Sequence, residues 1–406
     1  MKRLFIIASL AILAVGCQKT EIQNEVQNQI GFSTETGKMT RAIVQDGTYL
    51  TSQPFGVYAY GWQKIENQNT SNDDPVMDNV EIFQDDRTID GVSTKVWVAN
   101  DGLTYYWPND PRTALNFYAY SPYIQRSDDD QTSEVDESTK APAATAPHQF
   151  MEVTTISHDE VNGLIITGYE HENMYVDFMV ATPVLGARYS DQDGVATVNP
   201  TSSVPVKFNH EMTQVIFNVK PSESYPNITF TINNITLSGI GNKADYSDAD
   251  LKGTASGTTW VTPTYTPGTW ETPTQYTGSY QIFPQTAYAA GTADNGCPKV
   301  GFVTQSAQVV TADNPLITEG VTMIPQTIGD NQKFTIDYNI AGIGVAEENV
   351  IKEVYFKNVA ASATKVNWVN NQKITYNVII GLNEIYFEPS VANWESTTGN
   401  TYEFQQ

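Results

Sequence analysis

Histidines, cysteines and carboxylates are the side chains here with chemistry to offer, and their spacing decides which kind. Four histidines occur: His148, His158, His171 and His210. His158-Asp159-Glu160 and His171-Glu172 are separated by residues that do not suggest one helical face, and no HExxH or CxxC spacing supplies a zinc ligand set. They read as exposed polar positions rather than as ligands. His210 differs, because it falls in the register of the apolar face Val206 and Phe208 and reads as a buried, hydrogen-bonded structural histidine. Ser238-Gly239-Ile240-Gly241 lacks the strand–elbow–helix setting a serine nucleophile needs. Gly37-Lys38-Met39-Thr40 lacks the upstream glycine and following helix of a phosphate loop. Asp191-x-Asp193-Gly194 has no glutamate at the twelfth loop position and reads as a β-turn. A glycosidase needs two carboxylates about 5 to 10 Å apart. A chain this acidic supplies such a pair on paper whatever its function. The residues therefore offer no catalytic set, no metal site and no cofactor site, and they do not favour an enzyme.

Chemistry done to the chain is better marked. Met1-Lys2-Arg3 is basic, and Leu4 to Val15 is an apolar run broken only by Ser9. It is too short to span a bilayer as a mature helix and suits the h-region of a secretory signal. Leu13-Ala14-Val15-Gly16-Cys17 then places small residues before a cysteine, as a lipoprotein signal peptidase requires. On that reading Cys17 becomes an acylated N-terminus and Gln18 to Gln29 a polar tether. The alternative is an ordinary signal peptide with an incidental cysteine. If Cys17 is acylated, the other cysteine, Cys297, lacks a partner, so the core rather than a disulfide must hold the fold. Attachment by lipid alone needs two or more acyl chains to be stable.

Aromatic residues mark one candidate ligand surface. Thr254 to Thr277 is rich in Thr, Pro and Gly, with Trp260, Tyr265, Trp270 and Tyr276 interleaved. Trp260 and Trp270 are candidate contacts for a glycan or protein ligand on a surface module that never polymerises. Local packing is the competing reading.

The elements that would position these residues are strands. Phe55, Val57 and Ala59 alternate with smaller or polar residues, as do Leu115, Phe117 and Ala119, then Val204, Val206 and Phe208. Val215-Phe217-Val219, Ile228-Phe230-Ile232, Phe334-Ile336-Tyr338-Ile340 and Ile374-Tyr376-Val378-Ile380 continue the pattern. A period of two with one apolar face is that of antiparallel sheets packed on one side. Only Glu211 to Thr213 and Val345 to Val350 suggest short helices. The fold class is all-β: two tandem β-sandwiches of transthyretin-like or Greek-key type after a lipoprotein signal. The expected divisions are 1–16 signal, 17–29 tether, 30–200 N-terminal sandwich and 201–406 C-terminal sandwich, joined near Val198 to Ser203. Arg126 to Gln149, with Asp128-Asp129-Asp130 and Ala-Pro repeats, reads as a solvated loop.

The charge balance excludes one class of partner. The chain has 22 Lys and Arg against 46 Asp and Glu, a net charge of −24. Such a surface repels phosphate backbones, so no nucleic acid is expected as a partner.

Several segments, in order along nearly the whole chain, resemble the fimbrillins of Bacteroidetes type V pili. They begin with the cysteine motif at Cys17, Ile30-Gly31-Phe32-Ser33-Thr34 and Thr40-Arg41-Ala42. Pro54 to Tyr60, Trp107-Pro108, Leu115 to Pro122 and Asp177 to Ala181 follow. The second half adds Val206 to Phe217, Met323-Ile324-Pro325-Gln326, and Tyr376-Asn377-Val378 through Val391-Ala392-Asn393-Trp394. The resemblance implies a surface fimbria subunit, tip or anchor serving adhesion. Its partners would be other fimbrillin subunits, the outer membrane through the lipid, and a receptor on a host or bacterial surface. It also implies a mechanism. The first strand completes its sheet in the precursor, an arginine-specific or trypsin-like protease cuts behind it, and a neighbouring subunit's strand takes its place. Carried onto this chain, Ile30, Phe32 and Thr34 form one face of the displaced strand within 30–41, and Arg41 is the processing point. The alternative for Arg41 is a plain loop arginine. The segment around Tyr402 to Phe404 is the candidate donor.

Overall fold

The computed structural model describes residues 29–36, 54–65, 68–89, 92–108, 113–126, 153–160, 162–171, 176–188, 203–248, 254–256, 259–261, 266–275, 278–284, 291–292, 298–299, 305–342, 345–357, 366–382 and 385–393. Among them none is helical.

Sheet one has eight strands. Its order is β1 (Phe32–Thr36), β10 (Val204–His210), β8 (Met179–Thr182), β5 (Thr113–Ser121), β2 (Phe55–Ile65), β3 (Gln68–Ile89) and β4 (Val92–Ala99), with β9 (Val184–Ala187) also on β5. The sheet curls until β1 at one edge comes against β4 at the other. Its concave face encloses an apolar core that includes Phe55, Val57, Leu115, Phe117, Val204, Val206 and Phe208. The alternate residues Tyr58, Tyr60, Tyr118 and Tyr120 point the other way into a second, larger core. This is why β5 is buried along almost its whole length on both faces, where a sheet with one wet side would alternate.

Sheet two, comprising β6 (Thr155–Asp159), β7 (Gly163–Glu170), β13 (Gly241–Asp248) and β16 (Thr269–Trp270), with β17 (Thr274–Gln275) also on β13, lies against those tyrosines. Sheets three and four form a sandwich. Sheet three runs β22 (Leu316–Ile317), β11 (Thr213–Pro221), β26 (Gln372–Ile380) and β27 (Ile385–Asn393), with β23 (Val321–Met323) also on β11. Sheet four runs β18 (Ser279–Phe283), β12 (Ile228–Ser238), β24 (Lys333–Gly342) and β25 (Val345–Tyr355), with β21 (Gln308–Val310) also on β12. The two meet where Phe217 of sheet three, stacked on its neighbour Tyr376, lies 5.2 Å from Phe334 of sheet four. Two short hairpins, β14 (Thr254–Ser256) with β15 (Thr259–Val261) and β19 (Gly291–Thr292) with β20 (Pro298–Lys299), complete the strands.

The structure corrects three expectations. Glu211 and Met212 are a short link and Thr213 already opens β11, because the Glu211 N–H is taken by Phe178 O at 2.9 Å in a sheet-like contact. Val345 to Val350 is strand, zipped antiparallel onto β24, whose open edge outweighs a weak local helix preference. Val204–His210 belongs to sheet one, paired to β8 and β1, rather than opening the second sandwich. Likewise β7 pairs with β13 across the expected boundary at residue 200. Ser238 to Gly241 is the turn from β12 to β13, with Gly239 at φ +75°.

Candidate functional site: the first strand and its seat

The sequence Ile30-Gly31-Phe32-Ser33 alternates large and small residues, and the chain lays it down with the large ones inward. Ile30 is 5% and Phe32 8% exposed. Phe32 meets Phe55 at 5.9 Å and Phe117 at 6.0 Å, both nearly edge-on. The seat continues through Phe55 to Trp97 (5.0 Å) and Phe208 (5.5 Å), and through Phe117 to Trp107 (5.7 Å). Burying an Ile or Phe side chain contributes about 1.5–3 kcal/mol each, so these two anchors supply much of what holds the strand.

The backbone supplies the rest. β1 runs parallel to β10 over five pairs, from Phe32↔Val204 through Thr34↔Val206 to Thr36↔Phe208. The Val204 N–H donates to Gly31 O at 2.8 Å, just ahead of the strand. On the opposite side Gln29 bridges antiparallel to Tyr106, and the Ile30 N–H donates to Tyr105 O at 2.9 Å. Each of the other described pairings in sheet one is antiparallel. β1 is thus a stave between β10 and the chain after β4, held chiefly from the β10 side.

β10 is itself pinned at its far end. His210 is 3% exposed, with Nδ1 2.5 Å from Asp177 Oδ2, as its apolar register leads one to expect. Glu211, fully buried, accepts through Oε2 from the Gly268 N–H (3.1 Å) and the Asn370 side-chain amide (2.6 Å). The Trp270 indole N–H donates to Glu211 O at 2.8 Å.

Those contacts bring Trp270 into local packing, the competing reading of its segment. Its half-buried ring packs on Tyr246 (4.8 Å), Tyr169 (5.0 Å) and Phe178 (5.8 Å), as part of the wall behind β10. Trp260 sits in β15 opposite Ala255, and its side chain lies outside the described residues.

His158 and His171 are likewise buried, not exposed. His158 follows Ile156 on the inward face of β6, and its ring lies 4.3 Å from Tyr118, 5.2 Å from Tyr58 and 5.5 Å from Tyr60. His171 Nε2 sits 2.7 Å from Thr322 O, and burial pushes its pKa down to about 4. The alternation Ile156/His158 was the signal available for the first. Among the described residues no group of three or more His, Cys, Asp or Glu side chains converges as a metal site. His148, Cys17, Arg41, Asp191 to Gly194, Cys297, Tyr402 to Phe404 and the acidic loop beyond Arg126 lie outside the described residues.

Three solved structures are similar to the chain at low identity. A fimbrial protein from Bacteroides vulgatus aligns at 17% identity and a TM-score of 0.47, covering 90% of this chain and 99% of its own. A candidate cell adhesion protein from Bacteroides uniformis aligns at 14% and 0.44, covering 90% and 98%. The tip fimbrial protein of Porphyromonas gingivalis, C-terminally truncated, aligns at 11% and 0.31, covering 84% and 94%. No curated protein matches by sequence. A sequence model described as fimbrillin-like matches residues 40–394, most of the chain, and this protein therefore belongs to the fimbrillin-like family.

Proposed function

We propose that the chain is a subunit of a cell-surface fimbria, or its accessory tip or anchor, that joins its neighbours by donor-strand exchange and serves adhesion. The family supports the fimbrial role. The observation that supports exchange is the seat of β1. A short edge strand fills a groove of large aromatic and branched side chains with two anchors, Ile30 and Phe32. Its removal would leave the β10 edge unpaired and that groove open, which is the condition for β-augmentation by another chain.

In this reading the precursor is tethered to the outer membrane through acylated Cys17 and faces outward. A protease cuts after Arg41, in the connector between β1 and β2, and so frees β1 without touching the sheet. The incoming strand comes from another fimbrillin subunit, and the finished fimbria meets its receptor on a host or bacterial surface.

The test uses protein beginning after Cys17, treated with an arginine-specific protease. The new N-terminus is read by mass spectrometry and the products by gel without boiling. A single cut after Arg41, followed by ladders that collapse on heating, is the expected result. Folded protein left uncut at Arg41 would sink the processing step, and cut protein that stays monomeric would remove the stalk role.

A further inference from the structure

We infer that the strand replacing β1 enters the groove in the opposite direction, antiparallel to β10. The inference rests on the exchange proposed above and adds to it the polarity of the joint and the chemistry of the incoming segment.

Three observations carry it. First, β1 is the one parallel partner among the described pairings of sheet one. Parallel ladders have slanted hydrogen bonds and are slightly less stable per residue than antiparallel ones. Second, the two sides of the groove are unequal. A reversed strand would exchange five parallel pairs with β10 for antiparallel ones, against the antiparallel bridge at Gln29 and Tyr106. The balance favours reversal. Third, the seat does not depend on chain direction. It is lined by Val204, Val206 and Phe208 from β10, with Phe55 and Phe117 across from them. It accepts large apolar side chains at every second residue, and a strand's alternation reads the same from either end.

The occupant is therefore an extended segment with apolar anchors at alternate positions, entering with its N-terminal end beside Phe208 and its C-terminal end beside Val204. β1 as first folded is a weaker guest than its replacement, and this difference gives the exchange its direction.

A palindromic peptide, Thr-Val-Thr-Phe-Thr-Val-Thr, tests polarity without sequence bias. It carries a cysteine, as an activated disulfide, at either its N-terminal or its C-terminal end. The protein is the chain from Gln18 onward with its one remaining native cysteine, Cys297, changed to serine. A site-specific protease sequence within residues 37–53 makes nicking independent of Arg41. Single cysteines go in at Ser203→Cys or Lys207→Cys, near opposite ends of the β1-facing edge. Antiparallel entry labels Lys207→Cys with the N-terminally tagged peptide and Ser203→Cys with the C-terminally tagged one. Labelling is lost when the tags are swapped or the protein is left un-nicked. The opposite pattern would overturn the polarity and leave strand exchange standing. Failure of the nicked protein to be labelled at either position would overturn the exchange itself, and the inference with it.

Discussion

His171 is a neutral imidazole by construction. It is buried at the junction of the chain after β7 with β23, where Thr322 O accepts from one ring nitrogen and Tyr169 Oη lies 3.1 Å from the other. Its pKa of about 4 lies below the ordinary value of 6.5 because burial penalises the charged ring. The unfolded chain therefore takes up a proton at this residue before the folded one does. The stability this difference confers is full above pH 6.5 and drains away as pH falls toward 4, a loss of about 3 kcal/mol. Denaturation of the wild type between those pH values should show the slope, and His171→Gln should flatten it. Phe32 invites a second test. Truncating it to alanine removes a buried ring from the β1 seat, at a cost of about 3 kcal/mol. Since β1 is an edge strand, that cost should appear as local opening. Amide exchange at Phe32 to Thr36 should quicken roughly a hundredfold, with the rest of sheet one little changed. Of these two residues, Phe32 could be placed from the sequence and His171 could not. Its alternation with Ile30 gave the inward face, whereas the cover over His171 comes from Thr322, far away in the chain.

Strands declare themselves by alternation, and β24 and β26 bury every second residue as their sequences indicate. Alternation says which residues face in, but not which sheet they face in. β10 has the same pattern as the strands of sheets three and four, yet it belongs beside β8. Nothing local in Val204–His210 could reveal that partner, since the pairing joins residues far apart in sequence. β25 shows the complementary case. It is an edge of sheet four, and Lys352 stands opposite buried Ile336, on the side otherwise used by partly buried Val350 and Val354. A charge on the inward side of an edge strand discourages pairing with another chain. Lys352→Val should therefore raise self-association of otherwise intact protein, measured by sedimentation. Unchanged sedimentation would show that β25 is protected some other way.

At the scale of the molecule, a charge of −24 means that two copies repel before any strand can exchange. At about 0.1 M salt the Debye length is about 10 Å, so the repulsion is largely screened beyond that distance. If subunits of this chain join one another, ladder formation after nicking should speed up as salt rises through that range, and the final distribution should change less than the rate. Opposite-charge steering between subunits would reverse the trend. The sequence made the all-β class and the acidic surface plain, while the division into halves was not legible, because β7 and β13 sit side by side in sheet two. That pairing has a consequence for the birth of the molecule. While the chain is still being made, the first half has no finished state to wait in: sheet one lacks β10 and sheet two lacks β13 until residues past 240 have emerged. The chain up to residue 200 therefore lacks the partners that arrive with β10 and β13. A gene cut at residue 200 would part β1 from β10 and β7 from β13.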